Sequence, residues 1–380
     1  MSEELKKNEE SKKTWSFEDS ATYKNANFVL AQTKNSTLSP LNLQPENING
    51  QHGLSTKPLP VTDLFSGRLL NGTNQIIAQD ILKSAKISDP EVFTYTEGKD
   101  YGIIPKKGSP FIVITTKNKD GKYNDYRYFP VEYATDFSEG KIAAVKYSRR
   151  LDRKIEALRN HIAREKEDEK ANILLTQLAY THRDNIYGKA CLKNSLKPEE
   201  KAAIVSDYVK NLPENEKKLL DEKIFIKVVT KDGKEFDNST HEGFIKNFNE
   251  NLFCANAKKE LDKINEALSK RESIVIDARN CPTANAYLGK YLAATTFAKE
   301  NPNVTFITDK SSVEAVKNDM TVTLEKAFSE NRHTEVFNIG NSASELCKDE
   351  IKQFREQQIA AKSPKEQSRT LNEQAIEMVF

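Results

Sequence analysis

Glu272-Ser-Ile-Val-Ile-Asp277 is a short apolar run that closes on an acid, and an Ala/Leu/Tyr-rich helical pattern follows it to Lys299. Asn303-Val-Thr-Phe-Ile-Thr-Asp309 repeats the arrangement, again ending in Asp, with a second helical pattern from Ser311. Thr334-Glu-Val-Phe-Asn-Ile-Gly340 reads as a third strand, and a third helix opens at Ser342. Strand and helix patterns alternating at this spacing predict βαβ units on a parallel sheet. The strand cores at 274–276 and 304–307 are nearly continuous hydrophobic runs, as expected where helices cover both faces. The C-terminal half is therefore expected to be a βαβαβα module with a small parallel sheet.

Working outward, the chain reads as a mixed α+β and α/β fold, with a β-hairpin and a helical middle ahead of that module. Phe111-Ile-Val-Ile-Thr-Thr116 and the run from Tyr123 to Tyr133 are β-branched and aromatic, and Asp120-Gly121 lies between them. Asp-Gly between two such runs predicts a hairpin. A similar unit, Ile224-Phe-Ile-Lys-Val-Val-Thr230 followed by Lys231-Asp-Gly-Lys234, recurs before the module. Duplication and independent use of good turn chemistry both account for it, and the second is preferred. Between the hairpins, Ile142, Val145, Leu151, Ile155, Leu158 and Ile162 form one stripe of a long helix. Shorter helices follow over 171–186 and 199–211, and residues 241–270 read as one more amphipathic helix. The expected organisation is a disordered region over 1–60 and an α+β hairpin region over 61–140. A helical region over 141–220, an α/β domain over 221–358 and a flexible tail over 359–380 complete it. Within 1–60, Trp15 and Phe17 are a candidate docking point.

A chain of 380 residues exceeds the usual single core, so two or three domains are expected. Its 58 basic and 56 acidic residues leave a net charge of +2, which gives no global field toward nucleic acid or an anionic membrane. No window approaches the roughly 18 apolar residues of a spanning helix, so no transmembrane segment is expected. Met1-Ser-Glu-Glu-Leu-Lys-Lys lacks the apolar core of a secretory signal peptide. Cys191, Cys254, Cys281 and Cys347 lie far apart with no CxxC pair, and read as free thiols of a reducing compartment.

Ligands of open parallel sheets bind at the carboxyl ends of the strands, against helix N-termini that favour anions. Those ends supply Asp277 and Arg279, then Asp309 and Ser311, then Gly340 and Ser342 as candidate ligand-binding residues. The aspartates could hold a ribose or a metal, and Gly340 could let backbone approach a phosphate. The competing reading is structural. Ser311-x-x-Glu314 and Ser342-x-x-Glu345 are capping boxes, and no GxGxxG or P-loop pattern surrounds Gly340. Cys281 is a candidate nucleophile, because a helix start beside Arg279 would lower its pKa. It would need a histidine, with His241 and His333 nearest in sequence, and ordinary core filler is the preferred reading. His182-Arg183-Asp184 resembles a kinase tripeptide but lacks the motifs that accompany one. His161 and His182 lie in no HExxH context, and no metal site is expected. Lys146, Arg149, Arg150, Arg153 and Lys154 form a basic patch that could meet phosphate. With Asp152 and Glu156 between them, a solvated helix face is preferred. Tyr123, Tyr126 and Tyr128 suit either a protein-binding surface or cross-strand packing. No cofactor is indicated.

Gln367-Ser-Arg-Thr-Leu-Asn-Glu-Gln-Ala-Ile-Glu-Met-Val-Phe380 is a polar, Glu-containing tail with hydrophobic residues at its end. Together with the Lys/Glu/Asn-rich composition, it resembles the effectors that intracellular bacteria inject through type IV secretion. That resemblance implies a protein made in the bacterial cytoplasm and translocated into the host cytosol. Two functional expectations follow. One is an effector acting through protein–protein interaction with a host factor. The other is a nucleotide- or phospholigand-binding enzyme that uses the strand ends for a phosphate-containing small ligand.

Overall fold

The structure is a computed structural model that describes residues 20–48, 51–117, 120, 123–281 and 283–360. In chain order the elements are α1 (Ala21–Lys34), β1 (Gln44–Ile48), β2 (Gln51–Thr56), β3 (Thr62–Asp63), α2 (Gly72–Ser84), β4 (Glu91–Thr94), α3 (Tyr95–Tyr101), β5 (Ile112–Lys117) and β6 (Tyr123–Pro130). Then come α4 (Glu139–Ile162), α5 (Asp168–Ile186) with a π-helical turn at Tyr187–Cys191, α6 (Pro198–Lys210), α7 (Glu214–Lys223), β7 (Lys227–Val229) and β8 (Glu235–Asp237). The remainder is α8 (His241–Lys246), α9 (Glu250–Ser269), β9 (Ile274–Asp277), α10 (Ala284–Ala298), β10 (Val304–Thr308), α11 (Lys310–Ser329) and α12 (Glu335–Ala360). The fold is mixed α+β, with small sheets that include parallel pairs.

The β9–α10–β10 unit is present as its sequence pattern predicts, with Ile274 opposite Val304 in parallel register. Only two strands of the expected three take part. Residues 335–340 open α12 instead of forming a strand, because Val336, Gly340, Ala343 and Cys347 recur at helical spacing toward α2 and α10. A four-residue apolar run cannot tell a buried strand from a buried helical turn, and packing decides it. The sheet is completed from the other end of the chain: β2 pairs antiparallel with β10, and the order is β1-β2-β10-β9.

That pairing corrects the expectation of disorder over 1–60, whose described part carries α1, β1 and β2. Ser20 caps α1 by accepting from the Tyr23 amide at 3.1 Å, and Ala26, Val29 and Thr33 are buried. Asn25 donates to Val113 O at 3.0 Å and to Thr115 Oγ1 at 3.3 Å. Polar residues here satisfy a neighbouring strand instead of water, so composition understated the order. Trp15 and Phe17, and the tail over 361–380, lie outside the described residues.

The second sheet has the order β3-β4-β6-β5, and the β5–β6 hairpin forms in the expected register, with Ile112 opposite Tyr128. The outer edge of β5 is closed by Asn74, which accepts from the Thr115 amide (3.2 Å) and donates to the Thr115 carbonyl (2.7 Å). The second hairpin forms as the short β7–β8 pair. The α4 helix is the spine between cores: Ala144, Val145, Tyr147 and Leu151 enter one cluster, while Ile155 and Leu158 enter another with α5 to α8. Residues 241–270 divide into α8 and α9 because Thr240 and Asn249 each cap a new start. No helix among the described residues is long and apolar enough to cross a membrane.

Candidate functional site

Two charged clusters are candidates, one at the carboxyl ends of β9 and β10 and one along α4. At the strand ends the sheet brings Asp277, Arg279, Cys281, Asp309 and Ser311 together. Arg279 grips Asp277 through Nη2 to Oδ2 at 2.6 Å, and through Nε to Oδ1 at 3.1 Å and to Oδ2 at 3.0 Å. The Arg279 amide adds a bond to Oδ1 at 2.9 Å. Burial would raise the Asp277 carboxyl, but these bonds and Lys290 hold it below its ordinary value. Asp309 is the N-cap of α11. It accepts from the Ser312 amide at 2.8 Å and from Ser312 Oγ at 3.0 Å, with Ser311 Oγ beside it. The cap is thus Asp309, two residues ahead of the Ser311 start read from the sequence.

The remaining strand-end candidates serve packing. Gly340 lies inside α12, where an added Cβ would meet the Thr73 amide at 2.3 Å and Thr73 Oγ1 at 2.2 Å. Its freedom from a side chain lets α2 start against α12, and Thr73 Oγ1 bonds Val336 O at 2.6 Å. Ser342 is an exposed position within the same helix and caps nothing. Cys281 is half-buried against the α/β core, and burial pushes its thiol up, the reverse of activation. Its helix, α10, begins three residues later with Thr283 as cap, and Arg279 already serves Asp277. His333 packs against the Tyr23 and Phe328 rings, and His241 against Phe225. Among the described residues no group of three His, Cys, Asp or Glu could hold a metal ion.

His182 belongs to a different device. It is fully buried between Tyr208 Oη at 2.7 Å and Glu216 Oε2 at 2.9 Å, and Arg159 binds both oxygens of Glu216 at 2.7 Å. Burial pushes His182 down despite the carboxylate beside it. The network ties α4, α5, α6 and α7 through matched groups, which is a structural role.

The second cluster was set aside in the sequence because Asp152 and Glu156 interrupt it. The structure turns both acids elsewhere: Asp152 accepts from Asn185 and Lys189 at 2.7 Å each, and Glu156 pairs with Arg159 at 3.3 Å. On the other face of α4, Lys146 meets Asp89 at 2.7 Å and Glu91 at 3.4 Å. Arg149 meets Glu91 at 2.8 Å and Asp63 O at 3.1 Å. Arg153 approaches Glu300 at 3.8 Å, and Arg271, in the turn after α9, donates to Glu300 O at 2.7 Å. Arg150 lies among them. Its Nη1 is buried and has no hydrogen-bond partner. Burial, then the like charges of Arg149, Arg153 and Arg271, push its guanidinium down against the pull of Glu91. Lys299, at the end of α10, is pushed down by its surroundings and by Arg153, Arg149 and Arg150. Among the described residues, Lys146, Arg149, Arg150, Arg153, Arg271 and Lys299 thus gather with Asp89, Glu91 and Glu300 at this junction. The Arg149-Arg150-x-x-Arg153 spacing was the readable signal. Arg271 and Lys299 carried none, being more than a hundred residues away.

Compared with protein-family models, curated proteins and solved structures, the chain matches none of them.

Proposed function

We propose that this protein binds an anionic, phosphate-bearing ligand at the basic junction of α4 with the end of α10 and the turn after α9. One observation carries the reading: a buried guanidinium nitrogen of Arg150 has no partner and is surrounded by further cations. Leaving a buried guanidinium N–H unpaired costs about 1–3 kcal/mol, and a bound anion is the direct way to satisfy it. Guanidinium groups suit the role because they bond phosphate oxygens in pairs and stay protonated. Such groups hold charge and do not relay protons near neutral pH, so the chemistry they support is binding. The test is thermal unfolding in inorganic pyrophosphate against chloride at matched ionic strength. Pyrophosphate at about 100 times its dissociation constant adds roughly 2.7 kcal/mol, a shift of a few degrees. Arg150→Gln abolishes that shift; an unchanged shift in the variant overturns the reading.

A second proposal, an effector acting on a host protein, has one supporting feature. β9 is an edge strand with Val275 48% exposed. Ile274 and Ala278 donate inward to Asn303 O and Ile307 O, so the amide of Val275 faces away from the sheet. A partner's extended segment would add there. Val275→Pro removes the outward donor and leaves the β9–β10 ladder in place. Capture of a host protein from lysate by the wild type and equally by this variant would sink the proposal.

A further inference from the structure

Away from the basic junction, a second set of buried polar atoms lacks partners, and all of them are oxygens. Ser39 Oγ, Gln75 Oε1 and Asp80 Oδ2 are enclosed and complete no hydrogen bond, in residues only 1%, 1% and 6% exposed. Existing bonds gather them from separate elements. The Ser39 amide donates to Asp80 Oδ1 at 2.8 Å, which holds the α1–β1 connection over α2. Beside Asp80, Gln79 donates to Leu59 O at 2.6 Å, and Gln75, one turn earlier, donates to the same carbonyl at 3.0 Å. From α10, Tyr291 Oη donates to Gln79 Oε1 at 2.8 Å and Tyr287 Oη to Pro40 O at 2.7 Å. We infer that the oxygens of Ser39, Gln75 and Asp80 form a buried site for one monovalent alkali cation. An all-oxygen set suits a hard ion, having neither nitrogen nor sulfur to favour a transition metal. Charge decides the valence. Asp80 supplies one negative charge, which a monovalent ion neutralises and a divalent ion would overfill. No side-chain cation is ion-paired with Asp80 among the described residues; Lys83, three residues on, is exposed and acts on it through charge alone. Burial keeps the facing Tyr287 and Tyr291 hydroxyls protonated, so titration near neutrality belongs to Asp80, whose carboxyl burial pushes up to about 6.

The test is the melting temperature of the full chain in lithium, sodium, potassium and tetramethylammonium chloride at equal concentration. At about pH 7.5, at least one alkali ion should raise it by about 2–4 °C over tetramethylammonium, which is too bulky for the site. At about pH 4.5, where Asp80 is protonated, the rise should vanish. Asp80→Asn keeps the shape of the side chain, removes its charge and should abolish the rise at both pH values. A cooperative transition of that variant in tetramethylammonium chloride checks that it folds. Ser39→Ala retains the backbone bond to Asp80 and removes one oxygen, so the ion concentration giving half the shift should rise about 3- to 10-fold. Equal melting in all four salts at pH 7.5 overturns the inference and assigns these oxygens to a buried water. A rise that survives in Asp80→Asn overturns it as well, being a general effect of salt. Both results leave the pyrophosphate response of Arg150 untouched.

Discussion

The strand ends of β9 and β10 and the basic face of α4 both gather charge, and they differ in whether it is matched. At the strand ends every acid has a dedicated partner a few residues away: Arg279 for Asp277, Ser312 for Asp309. Along α4 a buried guanidinium nitrogen of Arg150 lacks a hydrogen-bond partner. A helix cap or a local ion pair is complete in itself and asks for nothing further. An unmatched charge at a junction of cores is where a ligand has something to contribute. The more motif-like region is thus the closed one.

The contrast between matched and unmatched charge can be broken most forcefully in the helical core. Glu216 is buried and satisfied by both Arg159 and His182. Glu216→Ala should cost about 2–3 kcal/mol in urea unfolding, because it leaves the buried His182 ring nitrogen and the Arg159 guanidinium without their shared acceptor. A loss below about 1 kcal/mol would show that matching in this core is worth little.

Asp80 provides an unmatched acid to set beside Arg150. It is buried, its Oδ1 accepts from the Ser39 amide at 2.8 Å, and its Oδ2 has no partner. Burial pushes its carboxyl up to about 6. A folded-state pKa above the unfolded one gives stability that is present below about pH 4 and lost as pH rises through about 6. Asp80→Asn should remove that loss, raising stability at pH 7.5 by roughly 2–3 kcal/mol relative to its effect at low pH. Urea midpoints across pH 4 to 7.5 would check this, and parallel profiles for wild type and variant would contradict it.

Gly340 sharpens the distinction between packing and ligand roles. Gly340→Ala places a methyl group against the Thr73 backbone and should cost about 1–3 kcal/mol, with anion binding unchanged. Weakened pyrophosphate binding at intact stability would restore a ligand role to this glycine. The smallest effect is expected at the strand ends themselves. Asp277→Asn should leave the urea midpoint almost unmoved, the pair being solvent-exposed, and should not alter pyrophosphate affinity. Loss of that affinity would move the site back to the sheet.

How much of this was legible depends on whether the deciding contact is local. The β9–α10–β10 unit and the β5–β6 hairpin were readable, because apolar runs and turn chemistry act within a few residues. The 334–340 segment was misread because its few apolar residues fit either period, and α2 and α10 chose the helix. The order of residues 20–60 was hidden because Asn25 bonds a strand nearly ninety residues away. The basic face of α4 was discounted because Asp152 is adjacent to it in sequence. Two positions along a helix are about 200° apart, however, and Asp152 serves α5 instead. Arg271 and Lys299 reach the junction only through the fold.

The measurement that tests the central claim most directly is the melting temperature of Arg150→Met, with and without pyrophosphate. Methionine keeps most of the apolar stem and removes the unmatched charge. The account predicts a ligand-free variant at least as stable as the wild type and no shift on adding pyrophosphate. A variant that melts lower and still responds to pyrophosphate would show that Arg150 is a structural residue and that its charge awaits no ligand.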